Sequence, residues 1–364
     1  MTLPVTDYPA LWLRDNCSCA DCVAPGTEQK LHGITDLAPD TRIARIEEDE
    51  DAVVVVFAPD DHRSRFTHAW LAAHRLDSAL ADNRAEDAKQ LWQAADLADS
   101  IPAGSWPEFQ QEPIERAAGL EALLSQGFFL LRGVPVTDGA VLAVAESFGY
   151  VRRTNYGELF EVRVEDQPTN LAFSSLPITP HTDNPYRDPV PTIQLLHCLV
   201  NAADGGDSGL VDGFAAAALL RAADPAAFDL LARTPVTFRY ADVATELSAT
   251  RPLIGLDPVG RIREIRFNNR SMRPIALPAD QIAAFYAAYR RFAEILYSAE
   301  AQLTFRLEPG DCVVFDNTRV LHARTGFRAG GPRHLQGCYA ALDGAYSDLA
   351  VLRRGSIETN GAAQ

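Results

Sequence analysis

Gly310-Asp-Cys-Val-Val-Phe-Asp-Asn-Thr-Arg-Val-Leu-His322 reads as a strand and a turn that end on an isolated histidine. The apolar run 312–316 has strand length, opens after a glycine and closes on Asp-Asn-Thr. The same texture extends outward from it. Short strands are predicted at 160–164, 193–198, 209–212, 236–240, 261–267 and 304–307 upstream, and at 336–340 downstream. Helical spacing appears at 114–126, with Gly127 as its C-terminal stop, and again at 138–148, 214–223 and 278–298. Many short strands with few helices predict a mainly β fold, a double-stranded β-helix (jelly roll), rather than a doubly wound sheet.

The chemistry-bearing residues fall inside this pattern. His181-Thr-Asp183 puts a histidine and a carboxylate two residues apart, which on a strand places both on one face. With His322 they make two imidazoles and one carboxylate, the facial set that leaves three positions open on a non-haem Fe(II) ion. Downstream, Arg333-His-Leu-Gln-Gly-Cys-Tyr339 offers a guanidinium fork suited to a buried carboxylate. Near the N-terminus, Cys17, Cys19 and Cys22 have thiolate spacing for one tetrahedral metal, zinc above all, and need a fourth ligand. His32 is nearer in sequence, and His62 sits at a corner between two strands. The remaining cysteines, Cys198, Cys312 and Cys338, fall in apolar strands and read as core. His197 likewise reads as core, His334 as facing away from Arg333, and His68 and His74 as surface.

Composition bounds the function. The chain has 364 residues, 47% hydrophobic, with a formal net charge of −16. Such acidity disfavours non-specific nucleic-acid binding and anionic membranes, which require clustered Lys and Arg. The longest apolar runs, such as 53–58, are too short to span a bilayer, and no basic start precedes an apolar stretch. The expectation is a cytoplasmic enzyme, with a small β-rich N-terminal domain at 1–82, a linker that packs in places at 83–112, and the β-helix domain at 113–364. Within the first domain, 41–57 reads as two strands about an acidic turn.

Five motifs in order resemble the γ-butyrobetaine dioxygenase group of the taurine-dioxygenase-like 2-oxoglutarate oxygenases. They are His181-Thr-Asp183, Val190-Pro-Thr-Ile-Gln-Leu-Leu-His-Cys198, Gly205-Gly-Asp-Ser-Gly-Leu-Val-Asp-Gly213, Phe315-Asp-Asn-Thr-Arg-Val-Leu-His322 and Arg333-His-Leu-Gln-Gly-Cys-Tyr339. Trp12-Leu-Arg-Asp-Asn-Cys-Ser-Cys19 resembles the group's N-terminal domain. The resemblance implies Fe(II) at His181, Asp183 and His322, and 2-oxoglutarate as co-substrate held by Arg333 with Ser208 and Leu196. It also implies structural zinc at Cys17, Cys19, Cys22 and His62, O2 as a reactant, and a homodimer.

For the substrate it implies a small trimethylammonium zwitterion, with Tyr156, Phe160 and Phe173 as aromatic walls for the cation and Tyr339 close by. Asn184, Tyr186, Arg187, Asn269 and Arg270 depart from the butyrobetaine pattern. An added guanidinium and amide suit an anion with more charge and more oxygens than a carboxylate. The expected substrate is 2-trimethylaminoethylphosphonate, hydroxylated at the carbon next to phosphorus. The alternatives are γ-butyrobetaine hydroxylation to carnitine and, more remotely, a non-catalytic interaction protein built on the zinc domain.

Overall fold

The computed structural model describes residues 4–75, 89–163, 175–328 and 331–361. The chain divides into two compact units, Met1–Glu86 and Asp87–Gln364.

The smaller unit is a three-stranded antiparallel sheet, Arg42–Glu48, Ala52–Ala58 and Arg63–Thr67. Alternation puts Val53, Val55 and Phe57 on one face, where they pack with Phe66, Tyr8, Leu13 and Leu71. Leu13 belongs to the helix Ala10–Asp15 and Leu71 to His68–Ala73. The acidic stretch between the first two strands is the turn, as its composition predicts.

The larger unit is a double-stranded β-helix. Its six-stranded sheet runs, in spatial order, Ala103–Ser105, Phe128–Arg132, Cys312–Asp316, Ile193–Asn201, Arg333–Ala340 and Phe160–Arg163. A four-stranded sheet of Gln302–Phe305, Ser208–Asp212, Val320–Arg324 and Ile178–His181 faces it. Phe128, Val313, Phe315 and Leu335 from the first sheet pack with Leu210, Leu303 and Val320 from the second. The outer face of the larger sheet is covered by the helices Pro113–Gln126, Ala140–Glu146 and Leu342–Gly361 through Leu120, Leu123, Val141, Val144 and Leu349.

Several boundaries differ from the sequence expectation. The stretch 89–112, read as linker, holds the helix Trp106–Gln111 and a strand paired in parallel with Phe128–Arg132. Trp92 is buried and donates its indole N–H to Gln126 O at 2.7 Å, whereas Leu91 stays exposed. The helix Pro225–Arg233, the strand Glu246–Arg251 and the C-terminal helix lie outside the elements that the sequence pattern predicts. Among the described residues no helix is long and apolar enough to cross a membrane.

Candidate active site and metal centres

His322 and His181 are direct cross-strand partners on neighbouring antiparallel strands. That register brings their rings to 4.1 Å between centroids. His181 is the last residue of its strand, so Asp183 does not reach the site by strand alternation. It is placed by tertiary hydrogen bonds instead. The Asp183 N–H donates to Asn317 Oδ1 at 2.8 Å, and Asn317 Nδ2 donates back to Asp183 O at 3.0 Å. Thr182 exchanges two bonds with Phe267, its N–H donating to Phe267 O at 2.9 Å and its hydroxyl accepting from Phe267 N–H at 3.0 Å.

The three ligand-type atoms of His181, Asp183 and His322 lie within 4.8 Å of one another. His181 Nδ1 donates to Thr179 O at 3.0 Å, which leaves Nε2 facing Asp183 Oδ1 at 3.5 Å. Desolvation, reinforced by the neighbouring His181, pushes the His322 pKa down to about 3, so its imidazole is neutral at pH 7. Desolvation works against the Asp183 carboxylate, yet His322, His181 and the Tyr339 hydroxyl outweigh it and hold its pKa well below the carboxylate range. Two imidazoles and an ionised carboxylate are the donor set of a divalent iron site.

This triad opens onto a cavity of about 480 Å³ between the two sheets. Strand alternation decides its lining. Gln194 and Leu196 face it from one strand, Arg333, Leu335 and Tyr339 from the next, and Ser208 from the opposite sheet. Arg333 is buried at 7% exposure, and its Nε has no hydrogen-bond partner among the described residues. Burial lowers its pKa from the usual guanidinium value. An unpaired buried guanidinium is a site for a carboxylate.

The other half of the cavity is aromatic and amide-lined. Tyr156 and Tyr186 hydroxyls meet at 3.2 Å, and Phe160 packs on Tyr339 at 5.2 Å between centroids. Tyr240, from the hairpin Val236–Ala241 and Glu246–Arg251, stacks on Tyr186 at 5.2 Å and meets Tyr156 edge-on at 5.8 Å. It lines the cavity, and no motif or spacing in the sequence singles it out. Asn184 takes a positive φ of 54° and is 3% exposed, with neither Nδ2 nor Oδ1 hydrogen-bonded among the described residues. Arg270 lines the same wall. Desolvation lowers its pKa, while the Asp183 carboxylate pulls it the other way.

Not every expected residue reaches the cavity. Asn269 is exposed and outside the lining; its neighbour Asn268 faces in, donating to Thr182 O at 3.2 Å. Arg187 turns to Asn155 Oδ1 at 2.5 Å. Phe173 lies outside the described residues. His334 pairs with Glu161, and His197 is fully buried with its pKa lowered to about 4 by desolvation.

The smaller unit carries a second cluster. His62 Nε2 lies 3.2, 3.7 and 3.5 Å from the Sγ atoms of Cys17, Cys19 and Cys22. All four donors lie within 4.8 Å of one another and could hold one zinc ion in a closed site. His32 instead meets Asp15 Oδ1 at 3.3 Å. Burial pushes the Cys22 thiol up to about 11, a cost that a bound dication reverses.

Comparison with known proteins places this geometry. The family described as "Taurine catabolism dioxygenase TauD, TfdA family" matches residues 88–339, and "Gamma-butyrobetaine hydroxylase-like, N-terminal" matches residues 4–72. The chain is 38% identical to a gamma-butyrobetaine dioxygenase of Pseudomonas sp. (strain AK-1), across 96% of this chain and 91% of the relative. It is 32% identical to the gamma-butyrobetaine dioxygenase of Homo sapiens, across 95% and 91%. A trimethyllysine dioxygenase of Meyerozyma guilliermondii is 27% identical across 96% and 91%. The crystal structure of AAD-2 in complex with Mn(II) and N-oxalylglycine shares the fold, with a TM-score of 0.50 over 62% of this chain and 87% of that one at 18% identity. The chain therefore belongs to the TauD/TfdA family, in its γ-butyrobetaine dioxygenase group, and is an Fe(II)- and 2-oxoglutarate-dependent dioxygenase.

Proposed function

We propose that this enzyme hydroxylates a small zwitterion with a trimethylammonium head and a phosphonate tail, 2-trimethylaminoethylphosphonate, at the carbon next to phosphorus. The products are 1-hydroxy-2-(trimethylammonio)ethylphosphonate, succinate and CO2. The trimethylammonium end is supported by the relatives, whose names specify γ-butyrobetaine and trimethyllysine. It is supported also by the ring-lined wall of Tyr156, Phe160, Tyr186 and Tyr240, since aromatic faces attract a desolvated quaternary cation.

The phosphonate end rests on one observation. Asn184, beside the metal-ligand triad, is buried with neither amide atom paired among the described residues, and Arg270, itself exposed, brings a guanidinium to the same cavity wall. A buried amide left unpaired is costly, and with a guanidinium on the same wall it supports an anion that pairs both. A phosphonate has three oxygens and up to two charges, enough to occupy both along with Asn268.

In this reading His181, Asp183 and His322 hold Fe(II), which when bound supplies the oxidative chemistry: one O2 is split between the substrate C–H and 2-oxoglutarate. Arg333 binds the distal carboxylate of 2-oxoglutarate, with Ser208 and Leu196 alongside. The ring-lined wall and the Asn184–Arg270 wall fix the two ends of the substrate, so one carbon faces the triad and water is kept out. The zinc cluster is structural, because its four protein ligands fill a tetrahedral site.

The 38% identity to a gamma-butyrobetaine dioxygenase favours a second reading, hydroxylation of γ-butyrobetaine to carnitine. Succinate formation with matched trimethylammonium zwitterions that differ only in the acid group separates the two. The phosphonate is expected to lead the series; a lead for the carboxylate establishes the second reading.

A further inference from the structure

Two hydrogen-bond donors converge on a single oxygen of Asp183. Gln194 Nε2 reaches Oδ2 at 2.8 Å and the Tyr339 hydroxyl reaches the same atom at 2.9 Å. Both side chains are buried, at 1% and 3% exposure. They are direct cross-strand partners on Ile193–Asn201 and Arg333–Ala340, so the sheet itself sets their spacing. The arrangement is not an incidental result of packing. Gln194 Oε1 has no partner among the described residues, a cost that a Leu or Met at this position would avoid. The other carboxylate oxygen, Oδ1, is the one turned to His181 Nε2.

We propose that Gln194 and Tyr339 are positioning residues that hold Asp183 as a one-oxygen ligand. This rests on the assignment of Fe(II) to His181, Asp183 and His322. A carboxylate can bind a cation through one oxygen or both. Two imidazoles and one carboxylate oxygen leave three positions on a six-coordinate ion. A co-substrate that would chelate the ion, together with O2, would need these positions left open. A swing of Oδ2 onto the ion would take one of them. Donation from both Gln194 and Tyr339 saturates Oδ2, so the swing would break two bonds to a charged acceptor. Asn317, bonded to both the N–H and the C=O of Asp183, removes the backbone freedom that would otherwise allow it.

The test is anaerobic titration of the Fe(II)-loaded protein with 2-oxoglutarate, following the charge-transfer absorption that appears on chelation. It compares wild type, Gln194→Met, Tyr339→Phe and the double variant, with Fe(II) affinity measured separately and folding checked by circular dichroism. The double variant is expected to bind 2-oxoglutarate at least about tenfold more weakly while Fe(II) affinity changes by less than about threefold. Should the double variant not fold, Tyr339→Phe, which keeps the ring against Phe160, carries the test with an expected weakening of about threefold or more. Unchanged 2-oxoglutarate affinity in a folded variant overturns the proposal. So does an equal loss of Fe(II) and 2-oxoglutarate affinity, the result of general damage to the site. A wild type that binds no Fe(II) removes the metal assignment itself and this proposal with it, an outcome distinct from the other two.

Discussion

Arg270 and Asn184 approach the same cavity wall from segments more than eighty residues apart in sequence. The link is Thr182, whose two bonds to Phe267 and one from Asn268 tie the 267–270 turn to the metal-ligand loop. Arg270→Ala should therefore lower kcat/KM on 2-trimethylaminoethylphosphonate at least about tenfold, a charge-assisted bond being worth about 1.5–3 kcal/mol. Activity on γ-butyrobetaine should fall less. Steady-state succinate assays on both compounds check this; equal losses contradict it. The site residues that sequence singled out and that line the cavity, among them His181, Asp183, His322, Arg333, Ser208 and Tyr156, are those to which a motif or the family resemblance assigns a role. Asn317, Gln194 and Tyr240 are assigned none, because each acts through a partner that only the folded register brings near. The pair Asn268-Asn269 shows the same limit at one-residue resolution. Two identical side chains in a turn carry no signal of which one faces in, and the structure turns Asn268 to the cavity.

At the scale of elements, the helix Pro113–Gln126 ends on Gly127 at φ 90°, in the left-handed region. A Cβ there would sit 2.8 Å from Val320 Cγ2, in the core between the sheets. Gly127→Ala should destabilise the larger unit by about 2 kcal/mol or more, combining backbone strain with overpacking. A lower urea midpoint at unchanged slope would show it; an unaltered midpoint would mean that the turn relaxes freely. The Gly127 stop was legible from sequence because only glycine suits such a cap cheaply. The Pro225–Arg233 helix carried an equally clear start, since Asp224 caps Ala227 N–H at 3.0 Å and Pro225 occupies the first turn. It was hidden by its short length and by the preceding Ala-rich helix, against which it turns. Strand positions were legible where apolar runs are continuous, as at Cys312–Asp316. The end of Ile178–His181 was not, because Asp183 is placed by Asn317 and not by the pleat.

For the whole molecule, each compact unit has its own core and its own cluster of metal-ligand residues. The smaller unit relies on few buried side chains, and the Cys17, Cys19, Cys22 and His62 cluster joins its first loop to the sheet corner. Purified protein should hold about one zinc per chain. His62→Ala should lose it and His32→Ala should keep it; metal analysis showing the reverse would reassign the fourth ligand. The larger unit carries the reaction, and the proposed substrate turns on the anion end of the cavity. The most direct test is therefore the ratio of kcat/KM for 2-trimethylaminoethylphosphonate over γ-butyrobetaine, measured on one iron-loaded preparation at saturating 2-oxoglutarate. If Asn184 and Arg270 both pair with the anion as proposed, the ratio is predicted to exceed about one hundred. A ratio below one, with carnitine as the main product, would contradict the account.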